Sequence, residues 1–195
     1  GGSWTVKEAG TSGRSLQADH LVLTLPVPQM LNLFSRSNFE FKPEVMSNLK
    51  NIRYSRCLAL YGLLDRVSSI PYPGIITHPT PQVDWLADNQ VKGISQKPAF
   101  TLHASAKFSD EIWNVPDKDA VLSLVPLVER LMQAKISEWT IHWWHFAKPS
   151  VTFGETHFHS PGSRLSLAGD GFGGELIENA AISGWEAVES IIQGF

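Results

Sequence analysis

The residues best suited to chemistry form a glycine-rich run near the C-terminus, Leu165 to Gly174, which reads LSLAGDGFGG. A short apolar stretch ends at Ala168, a turn carrying the acid Asp170 follows, and a helix-like stretch, ELIENAAISGWEAVESIIQ, continues to Gln193. Strand, glycine turn and helix start is the arrangement that brings backbone amides up to a phosphate-bearing cofactor. Gly169, Gly171 and Gly174 match the spacing G-x-G-x-x-G. A dinucleotide fingerprint, however, needs a second strand and an acid about 20 residues on within a βαβ unit, and here one helix closes the sequence. Asp170 would also set a second anion beside a pyrophosphate in a poorly solvated site, so its carboxylate suits a sugar or ribityl hydroxyl better. The segment reads as a secondary cofactor loop whose main nucleotide-binding unit lies elsewhere.

Other groups offer weaker chemistry. Small residues at Ala180, Ala181, Ser183 and Gly184 would let the closing helix approach a sheet or a ligand closely. Its N-terminus carries about half a positive charge and could stabilise negative charge on a bound ring. His157 and His159 would share one strand face, and His142 and His145 flank Trp143-Trp144. Metal sites need three or four converging ligands, and no third is evident, so no metal is expected. In SEWTIHWWHF, strand alternation sends His142 and Trp144 to one face and Trp143 and His145 to the other. One face would then cover a helix and the other line a cavity. Cys57 lies within an apolar strand, where a buried, inert thiol is expected. No G-x-S-x-G elbow, P-loop or thiol-catalysis arrangement is present.

The elements that must position these groups come from a chain of 195 residues, 43% hydrophobic and 18% charged, with a formal net charge of −3. That balance is globular, and without a basic surplus it leaves nucleic acid improbable as a partner. A single cysteine precludes an internal disulfide and fits a reducing, cytoplasmic setting. No apolar run approaches the ~20 residues that span a bilayer, and no export leader is visible. Gly1-Gly2-Ser3 leads straight into strand-like residues without an initiator Met, as expected of the downstream part of something longer.

Trp4 to Val6 reads as a strand with a turn at Gly10 to Gly13. Leu16 to Leu25 reads as a strand buried on both faces, as in a parallel sheet. Gln29 to Phe34 and Pro43 to Leu49 read as short helices. Strands follow at Ser55 to Leu64, Gly74 to His78, Val83 to Asp88 and Ala99 to Ala104, each bounded by turn residues. Asp117 to Ala134 has helical apolar spacing, with Pro126 implying a kink or a late start. Ser137 to Phe146 is a further strand, and a loop rich in Gly, Ser and His leads to Arg164. The fold class expected is mixed α+β / α/β. Residues 1–50 would belong to a nucleotide domain, 51–160 to a sheet-rich substrate domain, and 161–195 to a closing strand-turn-helix of the first.

Three segments in order resemble the flavin-dependent amine oxidase superfamily, most closely its renalase-like branch. They are ADHLVLTLPVPQMLNLF, then YSRCLALYGLL continuing to WLADNQVKG, then LAGDGFGG through ISGWEAVESI. The resemblance implies a two-domain fold like that of p-hydroxybenzoate hydroxylase, here incomplete, with part of a Rossmann-like domain and non-covalently held FAD. It places Gly169, Asp170, Gly171 and Phe172 on the FAD, with Asp170 bonding a ribityl or ribose hydroxyl and the amide near Ile177 facing the flavin ring. Tyr61, His142 and Trp144 are the candidates for a substrate pocket. Renalase-like enzymes are understood to oxidise isomeric dihydronicotinamide nucleotides, returning NAD(P) and passing electrons to oxygen. Where such sequences read H-R-W-R-Y-A, this one reads His142-Trp143-Trp144-His145-Phe146-Ala147, without either arginine.

The function expected is therefore the C-terminal part of an FAD-dependent oxidoreductase that takes hydride from a small molecule, either a dihydronicotinamide or an amine. The alternative is a non-catalytic module of the same fold that binds a ligand or a protein through its aromatic sheet face. A carotenoid or protoporphyrinogen desaturase relative would need a long apolar channel, which no segment here indicates.

Overall fold

The computed structural model describes residues 3–8 and 13–194. It contains two compact units, one formed by Gly1–Tyr54 with Lys148–Phe195 and the other by Ser55–Ala147. The first begins with an antiparallel pair, β1 (Trp4–Lys7) and β2 (Ser15–Ala18), and continues through β3 (Leu21–Leu23), α1 (Val27–Phe34) and α2 (Pro43–Asn51). Most of the expected turn, Gly10 to Ser12, lies outside the described residues.

The continuous strand expected from Leu16 to Leu25 is two strands. Ala18 pairs with Trp4 of β1, whereas Val22 pairs with Ser166 in a different sheet, so the chain must turn at Asp19-His20. Burial on both faces also fails, because Leu16 is 75% and Val22 39% exposed. α1 starts where Pro26 and Pro28 allow, with proline's fixed φ suited to a first turn. Its buried residues Val27, Met30 and Phe34 recur at helical spacing.

The second unit is a five-stranded sheet of order β5-β6-β7-β4-β8. Its members are β4 (Arg53–Leu64), β5 (Ile75–Thr80), β6 (Val83–Asp88), β7 (Ala99–Ala104) and β8 (Ile136–Val151). Two helices intervene, α3 (Ala106–Glu111) and α4 (Asp117–Met132), of which α3 was not expected. Leu58, Leu60, Leu86, Phe100 and Leu102 cluster with Val121, Leu124, Val128 and Met132 of α4. Burying each such side chain is worth roughly 1.5–3 kcal/mol. Acids Asp117 and Asp119 open α4 and Arg130 sits in its last turn, which suits the helix dipole. The helix runs unbroken through Pro126. The bond this proline cannot make belongs to Leu122, which is on the solvent side and 56% exposed.

The chain returns to the first unit through β9 (Phe158–Ser160), β10 (Leu165–Leu167), α5 (Asp170–Gly173) and α6 (Ile177–Gln193). Part of the loop expected before Arg164 is thus a strand, and the closing helix is preceded by a short separate one. The sheet order is β3-β10-β9, parallel between β3 and β10 and antiparallel between β10 and β9. Leu165, Leu167 and Phe172 join Val27, Met30, Phe34, Leu49 and Ile52 in this unit's core.

Candidate functional site

The glycine turn is held from three sides. Parallel pairing sets Leu165 against Leu21 and Leu167 against Leu23, and the Ala168 amide extends the ladder by donating to the Leu23 carbonyl at 3.0 Å. Gly169 then turns with φ +120°, a conformation that glycine adopts without steric cost. Its amide donates to the hydroxyl of Ser183 at 2.8 Å, and Ser183 is fully buried on α6. Phe153 donates its amide to the Gly171 carbonyl at 2.9 Å, and its ring packs 5.1 Å from that of Phe172.

Asp170 opens α5, and its Oδ1 accepts a hydrogen bond from the Tyr54 hydroxyl at 3.1 Å. The same phenol oxygen accepts the Val27 amide from the start of α1 at 3.4 Å. Burial, and then the Asp170 charge, push Tyr54 above the ordinary phenol range, so it stays a donor at neutral pH. Among the described residues no protein group donates to Asp170 Oδ2. The donor set therefore fits a hydroxyl-bearing cofactor: a carboxylate at a helix entry, anchored by one oxygen, with the other able to accept.

The expected contact residues sit differently within this turn. Phe172 is 3% exposed, so its side chain belongs to the core, and its amide is engaged within the turn, donating to the Gly169 carbonyl at 3.1 Å. Ile177 is the first residue of α6 and 87% exposed. The space over Gly171 is taken by protein, since a Cβ there would fall 2.5 Å from the Tyr54 hydroxyl. Tyr54 and Ser183 carry no local sequence signal that marks them as site residues, and Ser183 stands out in the sequence only as one of the small residues of the closing helix.

In the second unit the alternation expected along β8 is observed. The rings of His142 and Trp144 meet at 4.4 Å, while Trp143 and His145 both pack on Trp113, at 5.1 and 4.8 Å. Trp143 joins the α4 side of the core and donates its indole N–H to Asp117 at 2.8 Å. Tyr61 lines a depression of about 370 Å³ with Asn89, Ser95, Glu138 and Trp139, and neither His142 nor Trp144 is among its lining residues. Trp144 is 51% exposed. Cys57 is half-buried rather than buried, with its thiol 3.5 Å from the Ala104 carbonyl.

The histidines of the first unit meet at Ser166, fully buried in β10. Its hydroxyl lies 3.1 Å from His20 Nε2 and 2.9 Å from His159 Nδ1, and the two rings stack at 5.6 Å. His157 instead reaches Ser190 on α6 at 2.8 Å. Among the described residues no group of three or more His, Cys, Asp and Glu side chains is placed to hold a metal ion. Among them, too, no helix is long and apolar enough to cross a membrane.

The model of the flavin-containing amine oxidoreductase family matches residues 2–192, and the chain belongs to that family. Its mixed α/β fold is shared with solved oxidases and oxidoreductases. Cyclohexylamine oxidase from Brevibacterium oxydans superposes with a TM-score of 0.68 at 14% identity, covering 98% of this chain and 46% of that one. A putrescine oxidase bound to putrescine gives 0.64 at 12%, covering 93% and 44%. An oxidoreductase from Methanosarcina mazei gives 0.62 at 13%, covering 95% and 47%. The chain thus spans less than half the length of these neighbours. Comparison with curated protein sequences gives no match.

Proposed function

We propose that this chain is part of an FAD-dependent oxidoreductase of the renalase-like type, acting on a small molecule in the cytoplasm. The observation that carries the reading is the turn Gly169-Asp170-Gly171-Phe172. It stands between a parallel strand and a helix, with a carboxylate oxygen that no described protein group occupies. Asp170 would accept a ribityl or ribose hydroxyl, the backbone of Gly169 to Phe172 would lie along the cofactor, and the α6 entry near Ile177 would face the flavin ring. The flavin that these residues would hold would supply the redox chemistry, namely hydride acceptance and reoxidation by oxygen.

The protein's own task is to bind, orient and polarise, so no protein acid or base is required by this reading. An isomeric dihydronicotinamide nucleotide is the favoured reductant by resemblance to the renalase-like branch. An amine is the second reading, favoured by the family match and by the amine oxidases among the structural neighbours. Tyr61, His142 and Trp144 are the proposed substrate-facing residues.

The test is the visible spectrum of the purified natural-length protein, followed by anaerobic mixing with each reductant class. A flavin band bleached by dihydronicotinamides supports the reading, and bleaching by amines alone selects the second. A protein that carries no flavin and cannot be reconstituted with it overturns both and leaves a non-catalytic module.

A further inference from the structure

We infer that Tyr54 is a positioning residue for the cofactor carboxylate: its hydroxyl fixes Asp170 so that the second carboxylate oxygen is presented to a ribityl or ribose hydroxyl. The inference rests on the flavin reading of the glycine turn and adds to it a residue 116 positions away in sequence.

Three observations support the assignment. The Tyr54 hydroxyl is used in both directions, accepting from the Val27 amide and donating to Asp170 Oδ1. An O–H with one hydrogen and one engaged lone pair has a defined direction, and so gives the carboxylate one too. Second, the ring is seated against the turn. A Cβ on Gly171 would lie 2.5 Å from the hydroxyl, 3.5 Å from Tyr54 Cζ and 3.0 Å from a Val27 methyl, so only glycine leaves the phenol room at this point. Third, burial and then the neighbouring carboxylate oppose ionisation of Tyr54, so the phenol, a donor at neutral pH in any setting, stays one well into the alkaline range.

A carboxylate at the first residue of a four-residue helix has little else to orient it. Its main chain is tied down, with the Asp170 carbonyl accepting the Gly174 amide at 2.9 Å, but its side chain has only Tyr54 among the described residues. Without the phenol the carboxylate would turn among rotamers, and a sugar hydroxyl would have to order it on binding. That cost appears as weaker cofactor affinity and leaves the ring environment of the flavin untouched.

The experiment is a double-mutant cycle on flavin affinity in the natural-length protein, with Tyr54→Phe, Asp170→Ala and the pair, alongside apoprotein melting and the flavin absorption band at saturation. The cost of ordering one side chain on binding predicts that Tyr54→Phe raises Kd about two- to tenfold, with the band shape of the wild type. In the Asp170→Ala background the same change should shift Kd by less than about twofold, because the group it positions is gone. Independent, additive losses, or an unchanged Kd, overturn the inference. A wild-type protein without flavin overturns the underlying reading as well, a distinct result. If Tyr54→Phe does not fold, Asp170→Asn asks the same question, since its amide oxygen still accepts from Tyr54. It must then cost less affinity than Asp170→Ala, and equal losses overturn the inference.

Discussion

Tyr54 fills the space that a side chain at residue 171 would need, its hydroxyl lying 2.5 Å from where a Gly171 Cβ would stand. The middle glycine of the turn is therefore required by a protein contact, whatever its backbone does for a ligand. Gly171→Ala is expected to destabilise the first unit by about 1–3 kcal/mol, the usual range for overfilling a packed site. Adding Tyr54→Phe removes the clashing oxygen and leaves the ring carbon at 3.5 Å, an ordinary contact. In urea melts Gly171→Ala should therefore cost less in the Tyr54→Phe background than in the wild type. If it costs as much there, the steric account of this glycine is wrong.

Ser183 closes the other side of the turn. Its hydroxyl is the partner of the Gly169 amide, and both side chain and bond lie at the buried face of α6. Ser183→Ala leaves that amide without an acceptor, a loss of roughly 1–3 kcal/mol for a buried donor. Unfolding monitored by circular dichroism should register the loss, and Ser183→Thr, which restores a hydroxyl, should recover more of it than Ser183→Val. Equal stability of the Thr and Val variants would mean that packing, not the hydrogen bond, is what Ser183 supplies.

Two glycines outside the turn should respond in opposite directions. A Cβ at Gly62 would lie 2.0 Å from the Glu138 carbonyl oxygen, a backbone atom that moves only if β4 and β8 separate. Gly62→Ala should therefore lower the melting temperature of the second unit, with a cost of at least about 1–3 kcal/mol. Gly184 stands within α6 with nothing within 4 Å of a would-be Cβ. Its replacement by Ala should stabilise by up to about 1 kcal/mol through helix propensity alone. A destabilised Gly184→Ala would count against the open space around that position.

Much of this architecture is legible along the chain, and what is hidden has a common cause. Val83–Asp88 and Ala99–Ala104 are bounded by turn residues on both sides and emerge as strands with those limits. The alternation through His142 to His145 likewise survives, because strand periodicity is local. Asp19-His20 looks like the middle of one strand because nothing in the local pattern reveals that the flanking segments pair with different partners, β1 on one side and β10 on the other. Asp170 stands out by its place in a glycine run. Tyr54, its partner, is one tyrosine at a strand start, and only folding brings it across 116 residues. Ser166 is equally inconspicuous in LSL, although it joins two histidines.

That serine makes the first unit sensitive to acid. The Ser166 hydroxyl can donate to one imidazole nitrogen and accept from the other only while one ring remains neutral. Both histidines are held below their ordinary value of 6.5, His20 by burial and then by Arg164, His159 by burial and then by His20 and His157. The surrounding charges include the Arg164–Asp19 pair at 4.0 Å, and from α6 Glu186, which accepts from Thr156 beside His157. A pKa depressed in the folded state means that the unfolded chain takes up protons first as pH falls. The stability contributed by the neutral pair is then fully present above the unfolded value and is lost as pH drops below 6.5 through the folded values. Urea midpoints of the first unit should be level between pH 7 and 8 (about the range where both rings are neutral) and decline on acidification. His159→Gln keeps a polar partner for Ser166 but cannot titrate, so it should flatten part of that decline. An acid limb identical in wild type and in the His20→Gln, His159→Gln double variant would assign the pH dependence to other groups.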